Sequence, residues 1–170
     1  MLFRSYFDTQ PEPDLAAVQA LWRHIESHNR GWGAVLDNLF YDRMIEGYAR
    51  HHRLAGIQPA LGFLKRARQA GQRNGWVALE AVSRALAERQ QWDRLRALVD
   101  QVSVDMRENR GSTSNLGQRD FFAFIDQTGL LAGQESLAMQ HRRSKPSRDG
   151  PLVRAAAGAA EGAWSRSLAE

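Results

Sequence analysis

Few residues in this chain have the type and spacing to do chemistry. His24 and His28 stand four apart in His24-Ile25-Glu26-Ser27-His28. On a helix both imidazoles would share one face, a spacing that can chelate a divalent metal. A zinc-hydrolase helix needs Glu directly after the first His, yet Ile25 intervenes and no third ligand is evident. The pair reads as two solvent-facing histidines, and neither a metal nor a cofactor is expected. The chain has no cysteine, which excludes disulfides, thiolate zinc sites and cysteine nucleophiles. Asp93, Asp100, Asp105 and Glu108 crowd one segment, but nothing sets a nucleophile or a second acid opposite them. No glycine-rich phosphate loop and no supported Ser-His-Asp arrangement occurs. The expectation is a chain that is not an enzyme.

The cations offer more. The chain carries 21 Arg against two Lys (Lys65 and Lys145), with a net charge of +4. Arg presents a planar fork suited to phosphate and carboxylate. The same bias would follow from a GC-rich genome, so both readings stay open. Lys65, Arg66, Arg68 and Arg73 form the densest basic group, with Arg43 and Arg50 nearby in sequence. Arg142, Arg143 and Lys145 form a second. These nine are the candidate RNA contacts, expected to meet phosphate in a salt-dependent, sequence-blind way. His51-His52-Arg53 reads either as a phosphate contact or as a solvated helix end. Trp22, Trp76 and Trp92 lie on apolar seams and are expected in the core. Trp32 and Trp164 lie outside such seams and are the candidate partner surface.

The elements that would position these residues are helical throughout. Pro11-Glu12-Pro13 breaks the chain, Asp14 can cap, and Leu15, Val18, Leu21, Trp22 and Ile25 predict a helix over 14–28. A second, over 34–50, is apolar on more than one side and should lie between two neighbours. Pro59 opens a third, with a Leu61, Leu64 and Ala67 seam and Gly71 at its end. Trp76, Leu79, Val82 and Leu86 mark a fourth over 75–89. Its alanines allow close approach of a neighbour. Trp92, Leu95, Leu98, Val99, Val102 and Met106 mark a fifth over 92–108. The short link between these two predicts antiparallel neighbours. A sixth starts near Arg119, where Phe121, Phe122 and Phe124 cannot all be buried on one narrow face. That suggests ends covered by other chains. A short seventh is expected over 134–141.

These elements divide the chain into an N-terminal extension (1–13), a helical-repeat domain (14–141), and a basic linker with an Ala/Gly-rich tail (142–170). Mean hydropathy is −0.51, and no apolar run approaches the ~20 residues of a spanning helix, so no membrane insertion is expected. The N-terminus has no apolar run of the secretory kind.

Segments 39–73 and 74–106 each read as helix, turn, helix, turn, with a span near the ~34 residues of tetratricopeptide-class hairpins. Tyr41, Met44, Ile45, Gly47 and Tyr48 resemble the first helix of a pentatricopeptide repeat. Ala60 to Leu64 resemble its second helix. Ala81-Val82, Ala85-Leu86 and Trp92 to Val99 continue the pattern in the next unit. His51 to Gln58 stand as an insertion. The resemblance implies an all-α fold, a short α-solenoid of about three antiparallel hairpins with a basic, irregular C-terminal tail. It also implies single-stranded RNA as partner and a mitochondrial or plastid location. The family's base-reading position holds Arg43 and Glu80 here, rather than Asn, Ser or Thr. That favours backbone contact over base discrimination. The expected function is a non-catalytic subunit of an organellar ribonucleoprotein, a mitochondrial ribosome or RNA-processing complex, touching rRNA or mRNA and neighbouring proteins. The alternative is a protein–protein scaffold without RNA contact.

Overall fold

Short polar residues decide where the first helices begin. Asp14 Oδ1 accepts from the Ala17 N–H at 2.9 Å, and Asp37 Oδ1 accepts from the Phe40 N–H at 2.8 Å. Each satisfies an N–H that the first helical turn leaves unpaired. The computed structural model describes residues 2–8, 12–32, 36–108, 110–112, 114–131 and 136–139. Its helices are α1 (Leu2–Phe7), α2 (Leu15–Trp32), α3 (Asn38–Arg50), α4 (His52–Ala55), α5 (Gln58–Gln69), α6 (Trp76–Glu88), α7 (Trp92–Arg107) and α8 (Gln118–Thr128). No strand occurs among the described residues, and the fold is all-α. Four features differ from expectation. Helix α2 runs on to Trp32 rather than ending at 28. Helix α3 starts at Asn38 rather than 34, because Asp37 caps it. Residues 51–58, expected as an insertion, carry α4. Of the expected seventh helix, the described part is one helical turn at 137–139 that buries Leu137.

Helix α5 ends with the Gln72 N–H donating to Ala67 O and the Gly71 N–H to Arg68 O. Helix α6 ends with the same pair of bonds, from Gln91 to Leu86 O and from Gln90 to Ala87 O. This closure satisfies the last carbonyls and reverses the chain within three residues. The short link from α6 to α7 follows from it. Successive first helices start 38 residues apart (Asn38 to Trp76) and then 42 (Trp76 to Gln118). Both exceed the ~34 expected from the repeat class. The first interval contains α4 and the second the polar segment 108–117.

Helix α3 packs on α1, α4, α5 and α6, and α6 packs on α7 and α8. Both are accordingly buried on more than one side. Helix α3 buries Tyr41, Met44, Ile45, Tyr48 and Ala49, and α6 buries Trp76, Ala78, Leu79, Val82, Ala85 and Leu86. One aromatic cluster joins α2, α3 and α5: Trp22 lies 4.9 Å from Phe63 and 5.8 Å from Phe40, centroid to centroid. A second joins α6 to α8 through Trp76, Phe121 and Phe122. Of the three α8 phenylalanines, Phe121 and Phe122 are buried and Phe124 is half-buried beneath Arg84. The crowding inferred from sequence is thus relieved within the chain. Trp92 departs from expectation. It is 45% exposed, because as the first residue of α7 it overhangs the seam that Leu95 begins.

Residues 1–13, expected as an extension, contain α1, which packs on α2 and α3. Phe7 is buried, edge-on to Tyr48 at 5.3 Å and stacked on His51 at 6.1 Å. Gly47 makes this seat possible, since a Cβ there would stand 2.3 Å from the Phe7 ring. Gly47→Ala therefore exchanges a helix-propensity gain of about 1 kcal/mol for the larger loss of Phe7 burial, about 1.5–3 kcal/mol. In wild type the substitution should lower stability to urea. In a Phe7→Ala background it should raise it. A substitution with the same sign in both backgrounds would show that Phe7 does not sit on Gly47.

Candidate functional site

The close approach of α3 and α6 leaves a groove of about 270 Å³ along one side of the pair. Its floor is small and apolar, with Ala49 from α3 and Val77, Ala81 and Ala85 from α6. Charged side chains stand along it: Arg50 from α3, and Glu80, Arg84 and Glu88 from α6. Each arginine is held by a glutamate of its own helix. Arg50 meets Glu46 at 2.8 Å, and Arg84 Nε donates to Glu80 Oε1 at 2.8 Å. Both are four-residue pairs that a helix aligns on one face. Arg84 also lies over the Phe124 ring, its guanidinium carbon 4.5 Å from the centroid. At the α4 end His52 is buried. Its Nδ1 donates to the Ala49 carbonyl at 2.9 Å, and its Nε2 faces Glu88 at 3.5 Å. Arg53 holds the same Glu88 oxygen at 3.1 Å.

The structure divides the expected cations. Arg43 and Arg50 share Glu46, one on each carboxylate oxygen. The α5 set reaches other helices. Arg66 lies 3.8 Å from Glu26 of α2 and over the Trp22 and Phe63 rings at 5.3 and 5.5 Å. Arg68 donates to Asp105 of α7 at 3.2 Å. Lys65 and Arg73 are exposed and have no acidic partner among the described residues. So Arg50 lines the α3–α6 groove, while Arg66 and Arg68 tie α5 to its neighbours α2 and α7. Arg142, Arg143, Lys145 and Trp164 lie outside the described residues, as does the side chain of Trp32.

His24 and His28 are exposed on α2 with ring centroids 4.0 Å apart, and His28 Nδ1 donates to the His24 carbonyl at 2.8 Å. No group of three or more His, Cys, Asp or Glu side chains that could hold a metal gathers among the described residues. Asp105 is engaged by Arg68, by Gln101 Nε2 at 3.0 Å and by Arg110 at 3.7 Å. That arrangement ties α7 to α5 and leaves the carboxylate fully occupied.

Arg84, Asn38 and Asp42 are the residues that sequence reasoning did not single out. Asn38 Oδ1 accepts from the Arg73 N–H and Asp42 Oδ1 from the Gly75 N–H, both at 2.8 Å. One turn of α3 thus holds the strand of chain that leads into α6. The visible signal was a short polar pair four apart on a helix otherwise apolar on two sides. Burial pushes the Asp42 carboxyl up to about 6, against the pull of the Gly75 N–H, with Glu46 adding to the rise. The folded chain therefore holds this proton longer than the unfolded chain, whose ordinary value is 3.8. The resulting stabilisation is complete below that value and is lost as pH rises through about 6. Asp42→Asn keeps the acceptor and removes the titration. Its stability relative to wild type should therefore rise between about pH 4 and pH 7, read by urea denaturation at each pH. A flat difference would show that Asp42 ionises freely.

This all-α chain, with its charged groove between α3 and α6, matches no family model, no curated protein and no solved structure.

Proposed function

We propose that this chain is a non-catalytic helical-repeat interaction module whose α3–α6 groove holds an extended segment of a protein partner. The observation that carries this reading is the groove itself, an alanine-rich floor lined by two anchored arginines. The helix contacts support a short α-solenoid. Helices α1, α3, α6 and α8 each touch the next, and α2, α5 and α7 back the first three of them. Single-stranded RNA is best held on open aromatic platforms between cations. The groove offers none, because the His52 ring is buried and Arg84 already lies over Phe124. At the position a pentatricopeptide-like array would use to read bases, Arg43 and Glu80 are each tied within their own helix.

A second reading, the organellar ribonucleoprotein subunit, is favoured by Lys65 and Arg73, which have no acidic partner among the described residues, and by the basic run from Arg142 to Lys145. Affinity for a generic single-stranded RNA across a salt series separates the two. The module reading expects RNA binding weaker than about 10⁻⁴ M at physiological salt. Tighter binding, with a salt slope that shallows in Lys65→Ala/Arg73→Ala, would move the chain to the ribonucleoprotein reading.

A further inference from the structure

We infer that the segment held in the α3–α6 groove is acidic, an extended peptide that sets one carboxylate on Arg50 and another on Arg84. This rests on the reading of the groove as a peptide site.

The groove contains both signs of charge, and their depth decides which sign an incoming chain meets. The side chains of Arg50 and Arg84 are 62% and 53% exposed, whereas Glu46 and Glu80 beneath them are 12% and 18% exposed. The acids form a lower layer that anchors the cations. Both Glu46 oxygens are engaged, by Arg43 and Arg50, and Glu88 at the far end is matched by Arg53 and His52. The exposed layer, with Arg50, Arg84 and Arg53 (82% exposed) against Glu88 (49% exposed), is therefore net cationic.

The two guanidinium groups are also pre-organised. Arg84 is fixed by Glu80 at Nε and by the Phe124 face beneath it. Its two terminal nitrogens have no partner among the described residues. A fork held in this way presents two parallel N–H donors to a carboxylate and loses little rotamer freedom on binding. Between the arginines, Ala49, Ala81 and Ala85 let a peptide backbone come close to the helices. An extended chain places alternate side chains on one face, about 6–7 Å apart, so acidic residues repeated along that face can meet more than one cation of the groove.

The test uses the full chain and a labelled Glu-Ala repeat peptide, read by fluorescence anisotropy. Binding is expected, with Arg50→Ala and Arg84→Ala each weakening it about tenfold, as loss of a hydrogen bond to a charged group implies. A Gln-Ala peptide should not bind. Arg84→Lys keeps the charge but not the fork, and should fall between wild type and Arg84→Ala. Unchanged thermal unfolding would establish that these exposed substitutions leave the fold intact. Peptide binding that is indifferent to both arginines would overturn the inference and leave the module reading standing. No peptide binding, together with RNA binding lost in Arg50→Ala/Arg84→Ala, would overturn both.

Discussion

Trp76→Ala should lower stability by about 3–5 kcal/mol, while Trp92→Ala, sixteen residues on, should change it by no more than about 0.5 kcal/mol. The two residues hold the same local position, each the first residue of its helix. Their surroundings differ. Trp76 is 1% exposed and packs against Phe121 at 5.5 Å and Phe122 at 5.2 Å, joining α6 to α8. Truncation there leaves a void lined by stiff rings that cannot collapse into it, so both the transfer and the cavity contributions are lost. Trp92 has half its surface in solvent. Urea denaturation of the two variants is the measurement. A shifted midpoint at constant slope is expected for Trp76→Ala. Equal effects from the two variants would overturn the assignment of α8 to the α6 face.

That contrast also shows how far the sequence can be read. Helices α5 to α8 were legible because their seams recur at three and four residues between clear breakers. The wide apolar surface of α3 correctly placed it between neighbours. Trp92 was misplaced because periodicity says which face a residue is on, but not whether a neighbour extends far enough to cover it. Helix α1 was missed for a related reason. It has six residues and too little length for a period, and its burial depends on a glycine forty residues away that admits Phe7. The groove was half legible. Glu80 and Arg84 form a four-residue pair that sequence shows, and Arg50 was already a candidate. That these arginines line one groove depends on α3 packing on α6, a contact between segments more than thirty residues apart. Likewise Arg66 and Arg68 read as a free basic patch until α2 and α7 bring Glu26 and Asp105 to them.

The seat of α8 on α6 depends on one residue, Gly117, and Gly117→Ala should lower stability by about 2–4 kcal/mol. Two separate costs add. Gly117 has φ +75°, a left-handed conformation that an L side chain adopts at a cost of about 1–2 kcal/mol. A Cβ there would also stand 2.7 Å from Val77 Cγ2 and 3.1 Å from the Val77 nitrogen. The backbone atom cannot rotate away, so the start of α8 must lift from the start of α6. Gly129, at the other end of α8, isolates the first cost. Its φ is +70° and nothing lies within 4 Å of where its Cβ would be. Gly129→Ala should therefore show only the conformational part, about 1–2 kcal/mol. The excess at Gly117 measures the contact between the helices, and equal losses at the two glycines would show that α8 is not seated there. The contact also bears on the groove. Phe124 lies on α8 beneath Arg84, so lifting α8 withdraws the support under that guanidinium. Gly117→Ala should then weaken the Glu-Ala peptide as well as the fold, whereas Gly129→Ala should leave peptide affinity unchanged. If both variants bind the peptide as wild type does, Arg84 is positioned by Glu80 alone.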